Sequence, residues 1–158
     1  MTKELKQQFT LKISQANKTG LVVILYEMML IYLEEATISY EKEDTALYRL
    51  SIKRARACLH ELMTSLHFEY AIAGNLLQLY TFADRQMTKA DIRNNVKELD
   101  VVKTMMEKLH AAYEAVSEQD NSAPLMANTQ TVYAGLTYGR NQLTENLTDQ
   151  GGSRGFRV

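Results

Sequence analysis

The sequence predicts an all-α fold: an antiparallel up-down four-helix bundle, with room for an additional C-terminal helix and with flexible N- and C-terminal tails. Three observations predict it. Proline occurs once, at Pro124, and no glycine or proline interrupts the chain between Leu21 and Ala73, so nothing there has the turn chemistry that separates strands. Asn17, Asp44 and Asp91 each stand ahead of a long apolar-periodic run, where a short acceptor side chain caps a helix. The stretches between the runs are short, and short connections place consecutive helices side by side and antiparallel.

The elements follow in order within one domain of 158 residues. Residues 1–16 precede the first cap as an N-terminal segment carrying Phe9, Leu11 and Ile13, read as a flap on the resemblance given below. Residues 17–117 form the bundle core. Asn17 caps a first helix that runs to about Tyr40 and contains "LVVILYEMMLIYL", Leu21 to Leu33, whose one charge is Glu27. At 3.6 residues per turn its apolar side chains point in every direction, so it needs cover on all sides. Glu41 to Asp44 make a polar turn, and Asp44 caps a second helix from Thr45 to about Leu66. His67-Phe68-Glu69 leads into a third helix ending near Ala90, and Asp91 opens a fourth from Ile92 to about Ser117. In the C-terminal segment 118–147, a polar break precedes Pro124 and a helical pattern runs from about Thr129 to Leu147. Gly135 and Gly139 each cost that helix about 1 kcal/mol relative to alanine. The last residues, 148–158, with three glycines, have the composition of a disordered tail.

Composition excludes several function classes. Charged residues make up 23 % of the chain and the formal net charge is −1, without the clustered basic excess that nucleic acid demands. The lone cysteine, Cys58, has no internal disulfide partner, as in a reducing compartment. The N-terminus has no apolar signal core, and Leu21–Leu33 falls short of the roughly 20 residues a membrane helix needs. The expectation is a cytoplasmic protein without membrane insertion.

Catalytic motifs fail one by one. "HELMTSLH" resembles the zinc-protease HExxH, but Thr64 stands where the second histidine belongs. Glu107-Lys108-Leu109-His110 is a single Glu-x-x-His, whereas di-iron bundles need two; a surface Glu–His pair one turn apart is the simpler reading. No nucleophile motif and no glycine-rich phosphate loop is present. Glu27 within its apolar run reads as a residue reaching a bundle edge or bonding a tyrosine hydroxyl or capping group. The expectation is no enzyme, no catalytic residue, no metal and no cofactor.

What stands out is apolar surface in excess. On the third helix Ile72, Leu76, Leu79, Tyr80, Ala83 and Met87 form one core stripe, with Leu77 and Phe82 off it on opposite flanks. On the fourth, Ile92, Val96, Leu99, Met106 and Tyr113 suffice for a core, yet Val101, Val102, Met105, Leu109, Ala112 and Val116 widen the apolar arc. The C-terminal segment, through Val132, Tyr133, Leu136, Tyr138 and Leu143, can cover part of this surface but hardly every flank. Burying each large side chain is worth about 1.5–3 kcal/mol. Leaving four of them wet forfeits an amount comparable to a domain's whole stability, about 5–15 kcal/mol.

Several segments in order carry a family resemblance. "QANKTGLVVILYEMML" supplies Ala16, Leu21, Val22, Leu25 and Tyr26, with Glu27 as the acid after Leu-Tyr; "RARACLHEL" is followed by Leu66; "IAGNLLQLY" fits an Ile-Ala-x-Asn-Leu-x-x-Leu-Tyr pattern; and "ADIRNNVKELDVV" continues to "EKLHAAY". Over roughly Phe9 to Val116 the chain resembles the flagellin-specific export chaperone family (FliS-like). It departs from that family at Lys18-Thr19-Gly20, at Asp91 and Asn95, at Tyr113, and after Pro124. The resemblance implies a helical bundle that binds the C-terminal, helix-forming segment of flagellin in the cytoplasm, prevents its premature polymerisation and assists its export. It also implies an export-gate component as a further partner, and an N-terminal stretch that folds over a groove when flagellin is absent. Helix-in-groove binding of this kind fits the spare apolar faces, from which the partner-binding candidates are Phe9, Ile13, Val23, Leu30, Leu77, Phe82, Val101, Met105, Leu109 and Ala112. Two rivals stay open at this point: a homodimeric helical-bundle adaptor of the flagellar system without flagellin as client, and a di-metal bundle enzyme.

Overall fold

The computed structural model describes residues 1–126; the helix expected over about 129–147 and the tail 148–158 lie outside the described residues. The first two caps act as the sequence predicts. Asn17 accepts a hydrogen bond from the Gly20 N–H at 2.8 Å and starts α2 (Lys18–Glu41). Asp44 accepts from the Leu47 N–H at 2.9 Å and starts α3 (Thr45–Thr64). Between them Glu43, at φ 57°, turns the chain through the left-handed region. Two more helices, α4 (Ala71–Arg93) and α5 (Lys97–Ser117), complete an up-down four-helix bundle. Ahead of them lies α1 (Lys3–Gln15), capped by Thr2. The flap thus contains a 13-residue helix, joined to α2 through Ala16 and Asn17 alone. No strand occurs among the described residues.

The third cap does not act as expected. Asp91 and Ile92 belong to α4, which runs on to Arg93 before Asn94 takes left-handed C-cap geometry at φ 49°. Asparagine tolerates that conformation better than other non-glycine residues. The N-cap of α5 is Val96, and Asn95 just before it accepts from the Lys97 N–H at 2.8 Å, satisfying the first donor of the helix. Ile92 consequently leaves the core and is 76 % exposed.

Helix α2 packs against α3 and α5 and carries α1 on its outer side, whereas the backbone of α4 approaches only α3 and α5. The buried seam of α4 is therefore narrow: Ala73, Leu76, Tyr80, Ala83, Met87 and Ala90, spaced three and four apart. Ile72 and Leu79, expected within the core stripe, stand beside that seam and are exposed. Val102, expected to widen the outer arc of α5, is fully buried in the core. The diagonal between α2 and α4 is bridged by a buried hydrogen bond between the hydroxyls of Tyr26 and Tyr80. Burial pushes the Tyr80 phenol up to about 12, and the Tyr26 phenol higher still, so both are neutral donors and acceptors. Tyr113 of α5 joins them, with its ring centroid 5.6 Å from that of Tyr26.

Two polar devices fasten the remaining interfaces. The Tyr48 hydroxyl donates to the carbonyls of Ala90 (2.8 Å) and Asn95 (3.0 Å), tying the start of α3 to the α4–α5 turn. Removing that hydroxyl leaves the Asn95 carbonyl without its donor, while the Ala90 carbonyl keeps the Asn95 N–H at 3.1 Å. Tyr48→Phe is expected to lower stability by about 1–3 kcal/mol, read from the midpoint of urea unfolding at unchanged slope. On the α3–α4 face, Asp84 receives Arg56 through Nε (2.8 Å) and Nη2 (3.2 Å), with His60 Nε2 at 3.2 Å. The Arg56 hydrogen bonds hold the Asp84 carboxyl below the usual carboxylate range. A carboxyl lowered on folding stabilises above its unfolded value, about pH 3.9, and loses that contribution as the pH falls through its folded value. Asp84→Asn is expected to flatten the loss of stability below about pH 4, as followed by helical circular dichroism during acid titration.

Candidate partner-binding surface

The first region is the seat of α1. Leu5, Phe9 and Ile13 recur every fourth residue along one face; Phe9 is buried and the other two are half-buried, while Leu11 on the opposite face is exposed. Polar contacts mark the path of α1 along α2. Lys12 Nζ reaches Glu27 at 2.6 Å, with the same ammonium 5.4 Å from the Phe9 ring centroid. At the other end the Met1 ammonium pairs with Glu35, which also accepts from Ser51 Oγ of α3 at 2.9 Å. Burial would raise the Glu35 carboxyl, but the bonds from Met1 and Ser51 hold it below its ordinary value. Beyond Glu35 the surface continues as a groove of about 590 Å³ lined by Ile31, Ile38, Lys42 and Leu47 among others. So α1 fills only part of a longer trough along α2.

At the opposite pole the chain leaving α5 is fastened to the α1–α2 turn. Asn17 Nδ2 donates to the Asp120 carbonyl (3.0 Å), Thr19 Oγ1 to Asp120 Oδ2 (2.6 Å), and the Leu125 N–H to the Ala16 carbonyl (3.0 Å). Beside this knot is an apolar hollow of about 210 Å³, lined by Val22, Leu66, Tyr70, Ile72, Leu76 and Tyr113 among others. Phe68, Tyr70 and Ile72 crowd its neighbourhood, each more than 60 % exposed.

Two further apolar faces are open. On α4, Ile72, Leu79 and Phe82 are exposed at helical spacings of seven and three. On α5, Val101 and Val116 are more than half exposed, Ala112 is exposed and Met105 half-buried. Val101 and Met105 line a shallow groove of about 450 Å³ with Asp100, Thr104 and Lys108.

The ten sequence-derived candidates thus fall into separate groups. Phe9 and Ile13 lie on α1 itself, and Val23 is buried on α2. Leu30, Leu77, Met105 and Leu109 are half-buried along the flanks of their helices. Phe82, Val101 and Ala112 are open. The structure does not gather all ten on one face. Sequence reasoning missed Phe68, Tyr70, Ile72, Leu79 and Ile38, although an aromatic pair (Phe68, Tyr70) in the connection between α3 and α4 is itself an anomaly that points to a surface.

Among the described residues no group of three His, Cys, Asp or Glu could hold a metal. Cys58 is buried, and burial pushes its thiol up to about 11, away from the thiolate a nucleophile needs. No described helix is long and apolar enough to cross a membrane.

The sequence profile of the family described as "Flagellar protein FliS" matches residues 1–120. The chain belongs to the FliS family. The match includes α1 and the whole bundle, and ends where the chain is knotted onto the α1–α2 turn. Comparison with curated proteins gives no match. As a FliS-family protein it is a flagellar export chaperone.

The seating of α1 is weaker than that of any bundle helix, since it packs on α2 alone. Phe9→Ala is expected to accelerate amide hydrogen exchange throughout residues 3–15 by tenfold or more, while protection in α2–α5 stays unchanged, as resolved by exchange mass spectrometry.

Proposed function

We propose that this FliS-family protein binds the C-terminal helical segment of flagellin in the cytoplasm, keeps it from polymerising before export, and presents it to a component of the export gate. The observation that carries the reading is the distribution of uncovered apolar surface. It occupies the α4 face, the α5 face and the aromatic pole, and it continues in the trough that α1 only partly fills. A compact partner covers one such face. An extended chain that folds as it binds wraps several, which is how a segment unstructured on its own recovers the cost of its ordering.

In this reading α1 is a placeholder, a short amphipathic helix lying where a client helix docks and yielding to it. Its single neighbour, its two-residue hinge and the open trough beyond its start all favour displacement. The segment after Pro124 is a second such cover in the same reading. Val101, Met105, Leu109 and Ala112 of α5, with Leu77 and Phe82 of α4, then contact the remaining length of the client.

Calorimetric titration with flagellin from the same organism tests this. Full-length flagellin is expected to bind one-to-one with a negative heat-capacity change, and flagellin lacking its C-terminal helical segment is expected not to bind. Val101→Gln and Phe82→Gln are expected to weaken binding about tenfold, with stability changed by no more than about 0.5 kcal/mol. Equal binding of the truncated flagellin would remove the client assignment.

A further inference from the structure

Beneath α1, in the otherwise apolar run Leu21–Leu33 of α2, sits one carboxylate with two claims on it. Glu27 Oε2 accepts from Lys12 Nζ of α1 at 2.6 Å. Glu27 Oε1 faces His110 Nε2 of α5 at 4.0 Å, too far for a hydrogen bond. That imidazole nitrogen is buried and has no hydrogen-bond partner among the described residues. The Glu27 side chain is only one-quarter exposed, whereas Lys12 remains half in water. A charge so placed in an apolar run is costly to leave without a cation, and an orphaned imidazole nitrogen adds to that cost. Whatever lies on this part of α2 must therefore answer Glu27.

We infer that Glu27, with His110 beside it, selects the client: the helix that replaces α1 brings a lysine or arginine to the place Lys12 now holds. This rests on the reading of α1 as a placeholder for a client helix. The pattern read from α1 is a large apolar residue, a cation three positions later and an aliphatic residue immediately after it, as in Phe9, Lys12 and Ile13. The spacing follows from the helix, because residues three and four apart share a face. An apolar helix without the cation would strand a partly buried carboxylate beside an unpartnered histidine, so the pair rejects helices that are merely greasy. An arginine gains further, since its forked donors can serve both Glu27 oxygens where Lys12 serves one.

The test uses the full chain and full-length flagellin from the same organism. Each lysine and arginine in the flagellin C-terminal helical segment is replaced by glutamine in turn, and binding is measured calorimetrically to the wild-type chain and to Glu27→Gln, whose folding is checked by thermal unfolding. One replacement is expected to weaken binding to the wild type about tenfold and to have no effect on binding to Glu27→Gln, the signature of a direct pair in a double-mutant cycle. A second variant reads the competition from the other side. Lys12→Gln, at an exposed position, frees Glu27 and is expected to tighten flagellin binding in the wild-type background and to have no effect in the Glu27→Gln background; equal effects in both backgrounds would overturn the competition for Glu27. Binding of flagellin with no replacement coupled to Glu27, or no tightening by Lys12→Gln, overturns this inference and leaves the placeholder reading standing. Absence of flagellin binding to the wild-type chain overturns both.

Discussion

Everything in this structure is arranged around a helix that is apolar over most of its circumference. Helix α2 buries Val23, Ile24, Tyr26, Met29, Tyr32, Leu33, Ala36 and Ser39, residues that between them occupy most of its circumference. Two neighbours in a four-helix bundle cover about half of such a cylinder. The third quarter falls to α1, and the fourth is shared between the trough past Glu35 and the interior of the bundle. Helix α4 shows the contrast. With neighbours only in α3 and α5, it keeps a narrow buried seam and turns Ile72, Leu79 and Phe82 to the solvent. The bundle is thus asymmetric by composition, overcovered on one diagonal and undercovered on the other.

That asymmetry explains which parts of the fold were legible in the sequence. Asn17 and Asp44 read correctly as caps because each stands directly before an apolar run and has an uncontested backbone N–H three residues on. Asp91 misled because it has the same chemistry but sits where the apolar seam, ending at Ala90, still needs a helical turn to finish it. The break that does occur depends on the left-handed backbone at Asn94, a property of conformation rather than of pattern. Ile72 and Leu79 were assigned to the core because apolar periodicity reports which residues share a helix face. It does not report how many helices face it.

The candidate surface was legible in kind and less so in detail. Excess apolar arc on α5 was visible from Val101, Met105 and Ala112, and these remain accessible, while Val102 was absorbed by the core. The helical nature of residues 3–15 was not visible, because a polar stretch with three apolar residues four apart is too weak a pattern to stand without the face it packs on. Glu27 was noticed as out of place. Its pairing with Lys12 and its approach to His110 join segments 15 and 83 residues apart in the chain, relations that only the folded molecule discloses.

The hinge at Ala16 and Asn17 has a kinetic side. The Asn17 side chain caps α2 through one of its atoms and holds the chain leaving α5 through another, so the end of α1 nearest the hinge is anchored even if the rest swings free. A cover tethered over so short a link experiences an effective concentration in the millimolar range or above, whatever the concentration of the protein in the cell. Reclosure is then a first-order event completed in microseconds or less, with no dependence on encounter. An emptied trough would be exposed only briefly, and a bundle built around a largely apolar helix would have little time to find another copy of itself.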